Sequence, residues 1–127
     1  MSDWNPETTP NFSPAEMACK CGTCGGLHDM RQDFMVRLQA FREAIGRPLT
    51  VTSGYRCPKH PEEARKATPG AHGQGQAVDL ACNDAGLRHE MVCLAMAQGF
   101  PGVGVAKTFI HLDGGHDSAR RPALWSY

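Results

Sequence analysis

The sequence has no excess of charge of either sign. Its 127 residues contain thirteen lysines and arginines and thirteen aspartates and glutamates, so the formal net charge is zero. A protein dedicated to binding nucleic acid or an anionic membrane surface generally carries a basic field over much of its surface. The balance of charges argues against both classes, although it leaves room for local basic patches. We therefore expect no nucleic-acid partner.

Long apolar runs are also missing. No stretch approaches the roughly 18 apolar residues that a membrane-spanning helix needs, and the first residues lack the basic and apolar regions of a signal peptide. We expect a protein that is made in the cytoplasm and does not insert into membranes. It would reach a target outside the cell by lysis, through another protein's pore or as part of a phage particle. In a reducing cytosol, cysteines are more often free thiols or metal ligands than disulfides.

Internal repeats and low-complexity tracts are absent as well, and 127 residues are enough for one hydrophobic core. We predict a monomer with a single domain over residues 1–127, in which residues 1–11 form a loose N-terminal arm. A capping box at Ser13 predicts a short helix. Apolar spacings of three and four predict helices that contain residues 34–45 and 87–95.

Short alternating or apolar segments predict the strands. They lie at residues 49–53 and 76–81, and two more form a hairpin between residues 102 and 113. With the helices, this pattern predicts an α+β fold with a small, mostly antiparallel sheet and helices packed on one side.

The high counts, six cysteines and six histidines, suggest metal or thiol chemistry. The densest signal is His72 in a glycine-containing loop, followed seven residues later by Asp79 in a strand between two small residues. A side chain of a neighbouring strand can approach such a carboxylate closely, and His111 of the hairpin is the natural candidate. Two imidazoles and one carboxylate leave a fourth position open for water, as in a catalytic zinc site. We therefore predict that His72, Asp79 and His111 bind Zn²⁺.

Three motifs occur in the order found in a known family. They are Ser53-Gly54-Tyr55-Arg56, His72-x-x-Gly75-x-Ala77-x-Asp79 and His111-x-Asp113. The chain from residue 12 to residue 127 thereby resembles the M15 zinc peptidases, which include D-Ala-D-Ala carboxypeptidases and phage L-alanyl-D-glutamate endolysins. The resemblance implies an α+β fold and one zinc held by the same three residues. It also implies hydrolysis of D-amino-acid-containing stem peptides of bacterial peptidoglycan, by a carboxypeptidase or an endopeptidase.

The resemblance also implies roles around the metal. Arg56 would face the carboxylate of the substrate or the developing oxyanion. We assign Ser53 and Tyr55, from the same motif, and the late aromatic Trp125 to substrate binding as well.

One position departs from the family pattern. Thr108 stands where many members carry a Glu or Asp as general base, three residues before the last histidine ligand. Asp113, on the same strand face as His111, is the nearest replacement. It could activate the zinc-bound water as a catalytic base, or orient His111 through a hydrogen bond. We favour the orienting role.

The cysteine-rich loop leaves three interpretations open. Cys19, Cys21, Cys24 and His28 could bind a second, structural zinc. The thiols could instead pair with Cys57 or form a disulfide, or they could be free and packed.

Two other functions compete with the peptidase. A non-catalytic module that keeps the metal and binds cell-wall or protein ligands is the main alternative. A hydrolase with a nucleophilic cysteine has no recognisable local motif in this sequence.

Overall fold

The computed structural model describes residues 2–115 and 120–127. The helices are α1 (Pro14–Met17), α2 (Gln32–Ile45), α3 (Pro61–Ala64) and α4 (Ala85–Ala97), and the strands are β1 (Val51–Ser53), β2 (Ala77–Ala81), β3 (Gly102–Val105), β4 (Phe109–Asp113) and β5 (Ala123–Ser126). This architecture confirms the predicted α+β class. No helix in the described part of the chain is both long enough and apolar enough to cross a bilayer.

The helix boundaries follow from local capping. Ser13 and Glu16 form the predicted capping box, in which each residue's side chain accepts the other's backbone N–H. Asp84 starts α4 by accepting the N–H of Leu87 at 2.7 Å.

The five strands form one sheet in the order β1-β2-β4-β3-β5. Neighbouring strands are antiparallel except β3 and β5, which are parallel. The sequence did not predict β5. This strand lies at the sheet edge, and none of its four residues is buried. A segment that buries no side chain in the core has no strong apolar pattern from which a strand can be predicted.

The two faces of the sheet have different environments. Helices α2 and α4 share one hydrophobic core with the residues of β2, β3 and β4 that point to the same side. The buried strand residues of this core are Val78, Leu80, Val103, Ile110 and Leu112. Because side chains alternate along a strand, Asp79, His111 and Asp113 point to the opposite face. The register pairs Asp79 with His111 directly across β2 and β4.

The N-terminal segment is packed, in contrast to the loose arm that the sequence predicted. Trp4 is only 9% exposed, and its indole N–H donates to the hydroxyl of Thr9 at 2.9 Å. The carboxylate of Asp3 accepts the N–H of Gln32 at 2.9 Å, at the first residue of α2. The segment contains no periodic apolar pattern, and hydrogen bonds to residues distant in sequence, such as the one from Gln32 to Asp3, help to define its position.

Candidate active site

Three buried side chains that can donate ligand atoms to a metal converge on the sheet face opposite the core. His72 lies in the loop before β2, Asp79 lies in the middle of β2 and His111 lies in β4. Oδ1 of Asp79 is 3.3 Å from Nε2 of His72 and 3.0 Å from Nδ1 of His111. One ligand atom from each of the three residues lies within 4.8 Å of the other two. The structure therefore brings together the three residues predicted to bind zinc.

The outer nitrogen of each imidazole has its own hydrogen-bond partner. Nδ1 of His72 lies 2.8 Å from the carbonyl oxygen of Gly54, and Nε2 of His111 lies 2.7 Å from Oδ2 of Asp113. A ring N–H that donates to a carbonyl or a carboxylate sets the tautomer and leaves the opposite nitrogen available to a metal. The available atoms are then Nε2 of His72 and Nδ1 of His111, the two that face Asp79. The donor set fits a zinc ion.

The surroundings also shift the ionisation of these groups. Burial lowers the pKa of His72, which favours the neutral imidazole that binds metals. Burial opposes ionisation of Asp79, but its contacts with His111 and His72 hold its pKa well below the usual range. His111 has a raised pKa, because its hydrogen bonds to Asp113 and Asp79 outweigh the effect of burial.

Asp113 is fully buried and accepts several hydrogen bonds. Its Oδ1 accepts the N–H of Gly115 at 2.9 Å and Nε–H of Arg121 at 3.0 Å. Its Oδ2 accepts from Nη2 of Arg121 at 2.6 Å and lies against His111. Although burial opposes ionisation, the hydrogen bonds from His111 and Arg121 hold the pKa of Asp113 well below its usual range. These four N–H groups occupy all four lone-pair sites of the carboxylate. None is left to accept a proton from water, so Asp113 is better suited to orient His111 than to act as a base.

Sequence reasoning missed Arg121. Its guanidinium binds Asp113 through two nitrogens and stacks on Trp125, with Cζ 4.8 Å from the ring centroid. The ring of Trp125 in turn lies 5.3 Å from that of His111, centroid to centroid. The sequence signal is weak, since Arg121 belongs to no motif and only the Arg120-Arg121 pair marks the position.

Two glycines of β3 make room for this arrangement. A Cβ atom on Gly102 would overlap the carboxylate of Asp113, and one on Gly104 would lie 2.7 Å from Nε1 of Trp125. Glycine inside a strand often marks such a close approach.

The four residues predicted to bind substrate occupy different positions. Arg56 lies beside the metal ligands, with Nη2 3.4 Å from Oδ2 of Asp79, and its Nε donates to the hydroxyl of Ser53 at 3.2 Å. Ser53 thus contacts Arg56. Trp125 lines the cleft above the three donors, whereas Tyr55 is buried and lines a separate depression.

The cleft itself has a volume of about 310 Å³. It contains the three donors and combines cationic groups with aromatic walls. The cationic groups are Arg56, Lys66 and Arg121, and the aromatic residues are Phe109, Trp125 and Tyr127. The lining also includes the carboxylates of Glu62, Asp79 and Asp113, so its formal charges balance, and a bound divalent metal would make the cleft positive.

The cysteine-rich loop forms a second cluster. Cys57 joins Cys19, Cys21 and Cys24, and the four sulfur atoms all lie within 4.8 Å of one another. All four residues are free thiols. His28 is not part of this group. Its Nδ1 lies 3.3 Å from the carbonyl oxygen of Gly26, and its ring packs edge-to-face on Trp4.

Comparison with known proteins identifies one family. The family model described as Peptidase M15 matches residues 10–113, a range that includes the three donors, Asp113, Arg56 and the four clustered cysteines. Arg121 and Trp125 lie beyond the matched range. A search of curated proteins finds no match to this chain.

Proposed function

Because the chain belongs to the peptidase M15 family, whose members are metal-dependent peptidases, we propose that it is a zinc peptidase acting on bacterial cell-wall peptides. The observation that carries the proposal is the convergence of His72, Asp79 and His111 under a cleft with three cationic side chains. The substrate would be a D-amino-acid-containing stem peptide of peptidoglycan, whose carboxylates the metal and Arg56 would bind. The resemblance of the three motifs supports this substrate class.

The donor set supports a resident zinc ion. Nε2 of His72, a carboxylate oxygen of Asp79 and Nδ1 of His111 would hold it. When bound, zinc supplies Lewis-acid polarisation of a carbonyl group and lowers the pKa of a bound water.

Arg56 is the residue best placed to recognise the substrate. Its guanidinium is oriented by Ser53 on one side and Asp79 on the other, and its backbone N–H donates to the carbonyl oxygen of His72 at 3.3 Å. A planar fork held in this way binds a carboxylate or a developing oxyanion through parallel hydrogen bonds. Because the net charge is zero, attraction of an anionic peptide depends on the local charges of the cleft.

In the zinc-binding tautomer, Asp113 would hold the proton on Nε2 of His111. We assign Asp113 as a positioning residue, since Arg121 and Gly115 already engage its carboxylate. Thr108 cannot take the role of a base near neutral pH, and it lies exposed in the turn before β4.

Digestion of purified peptidoglycan followed by mass analysis tests the proposal. We expect the wild-type chain loaded with zinc to release peptide fragments, and their masses identify the bond and separate endopeptidase from carboxypeptidase action. His72→Ala and Asp79→Ala should abolish release, whereas His89→Ala, on the exposed face of α4, should not. Undiminished release by both site variants would contradict the metal mechanism.

Thr108 at the usual base position favours one second candidate, a module that keeps the metal and binds cell-wall peptides without cleaving them. Full zinc occupancy with tight peptide binding and no turnover in the wild type would support it. In either case we propose that the protein meets the cell wall after lysis, through a pore or in a phage particle.

A further inference from the structure

We propose that Cys19, Cys21, Cys24 and Cys57 form a second metal site, which holds one structural zinc ion through four thiolates. The site lies apart from the catalytic cleft and does not depend on the proposed peptidase activity. It joins the loop between α1 and α2 to the segment after β1.

The distances between the sulfur atoms support a single shared ion. All four lie within 4.8 Å of one another, and Sγ of Cys21 is 3.5 Å from Sγ of Cys57. Tetrahedral zinc with Zn–S bonds of about 2.3 Å places its sulfurs about 3.8 Å apart. Two separate disulfides would divide the cysteines into two pairs, whereas here each sulfur is near the other three.

The chain around the cluster has the form that such sites require. Cys21 and Cys24 have the C-x-x-C spacing typical of zinc sites, and Cys57 is a ligand distant in sequence. Gly22 and Gly25 adopt φ values of 81° and 75°, in the left-handed region that favours glycine. These residues allow the loop to turn tightly around an ion.

Hydrogen bonds to the sulfurs are also in place. The backbone N–H of Cys57 donates to Sγ of Cys19 at 3.3 Å, and the N–H of Thr23 donates to Sγ of Cys21 at 3.4 Å. A thiolate is a better acceptor for such groups than a neutral thiol, because it carries the full charge. Metal ligands are commonly oriented by contacts of this kind.

The position of the cluster suggests what the ion would do. Cys57 directly follows Arg56, and the N–H of Tyr55 donates to the carbonyl oxygen of Met17 at 2.9 Å. A Cβ atom on Gly54 would lie 2.7 Å from that same carbonyl oxygen, so the two segments are in close contact. An ion shared by Cys19 and Cys57 would hold these segments together and thereby fix the backbone that carries Arg56.

Zinc content per chain, measured by elemental analysis and native mass spectrometry, tests the site. The informative variant is the double substitution His72→Ala and Asp79→Ala, because it disables the catalytic site and leaves every cysteine intact. We expect it to retain one zinc per chain. X-ray absorption should then show that this zinc has four sulfur neighbours.

Cysteine variants test the same site from the other side, because they remove the proposed structural ligands and leave the catalytic ones. Cys21→Ser with Cys24→Ser in the wild-type background should reduce the zinc content by one per chain, whereas the control Cys93→Ser, at an exposed cysteine outside the cluster, should not. If the cysteine variants fail to fold, the His72→Ala and Asp79→Ala protein still decides the question. Absence of zinc from that protein, disulfides in its mass spectrum, iron in place of zinc, or nitrogen or oxygen neighbours would each overturn the proposal.

Failure of the peptidase proposal would show in peptide release and would not alter these metal measurements. The two proposals are therefore tested separately.

Discussion

Oδ2 of Asp113 lies 2.7 Å from Nε2 of His111, on the side of the imidazole away from Asp79. This contact connects the metal ligands to Arg121, which binds the same carboxylate. The candidate site therefore extends from β2 through β4 to the residues before β5.

Asp113→Asn should weaken zinc binding about 10- to 100-fold, the usual effect of losing a partner that orients a metal ligand. The amide no longer offers a charged acceptor to the imidazole N–H. Competition with a chelator measures zinc affinity, and peptide release at saturating zinc measures the rate. Unchanged zinc affinity with a lost rate would show instead that Asp113 is the catalytic base.

Arg121→Ala should destabilise the fold by about 3 kcal/mol, at the lower end of the effect of removing one partner of a buried ion pair. The lower end of this range applies because the arginine side chain is 19% exposed, although that of Asp113 is fully buried. Urea unfolding measures the change. Arg120→Ala, at the exposed neighbouring residue, is the matched control and should change the free energy of unfolding by less than about 0.5 kcal/mol.

Gly102→Ala should be more destabilising than Gly104→Ala. At position 102 the new methyl group overlaps the fully buried carboxylate of Asp113, and we expect a loss of about 1–3 kcal/mol. At position 104 it meets the partly exposed ring of Trp125, which can move outward. Urea unfolding compares the two variants, and tryptophan fluorescence reports the displaced ring. Equal unfolding midpoints would contradict the assigned contacts.

Glu63→Gln should destabilise the loop that carries His72. Although burial opposes ionisation, hydrogen bonds from Lys66 at 2.7 Å and the N–H of Gly70 at 2.8 Å hold the pKa of Glu63 below its ordinary value. We expect a loss of about 1.5–3 kcal/mol at neutral pH, as for hydrogen bonds to a charged group.

The effect of Glu63 should also depend on pH. The pKa of Glu63 is lower in the folded state than in the unfolded state. Its contribution to the free energy of unfolding is therefore fully present above the unfolded-state pKa of about 4.3, and it is lost as the pH falls through the folded-state pKa. The difference between wild type and Glu63→Gln in urea unfolding should therefore shrink in acid. Glu62→Gln, in a half-exposed pair with Arg65, should show a smaller loss at neutral pH. A difference that grows in acid would be inconsistent with this assignment.

Arg56→Ala should reduce peptide release about 10²- to 10³-fold if the guanidinium stabilises developing charge. Ser53→Ala should have a smaller effect, because it removes one hydrogen bond that orients the arginine and leaves the charge in place. Measured kcat and KM separate the two roles of Arg56. A rise in KM alone would limit Arg56 to binding the substrate carboxylate.

The sequence by itself determined the elements whose information is local. Apolar spacings in α2 and α4, and capping at Ser13 and Asp84, depend on residues a few positions apart. Alternation along β2 and β4 also predicted which side chains share a face, and the register of Asp79 with His111 agrees with it. Motif order then identified the family, which the matched range of residues 10–113 confirms.

Only the tertiary structure decided the contacts between segments far apart in the chain. Arg121 reaches Asp113, Cys57 rather than His28 joins the cysteine-rich loop, and Trp4 packs where a loose arm was predicted. Strand β5 likewise depends on pairing with β3 at the sheet edge. None of these contacts produces a periodic pattern or a fixed spacing, because the partners meet only after the chain has folded and each gains its stability from the other.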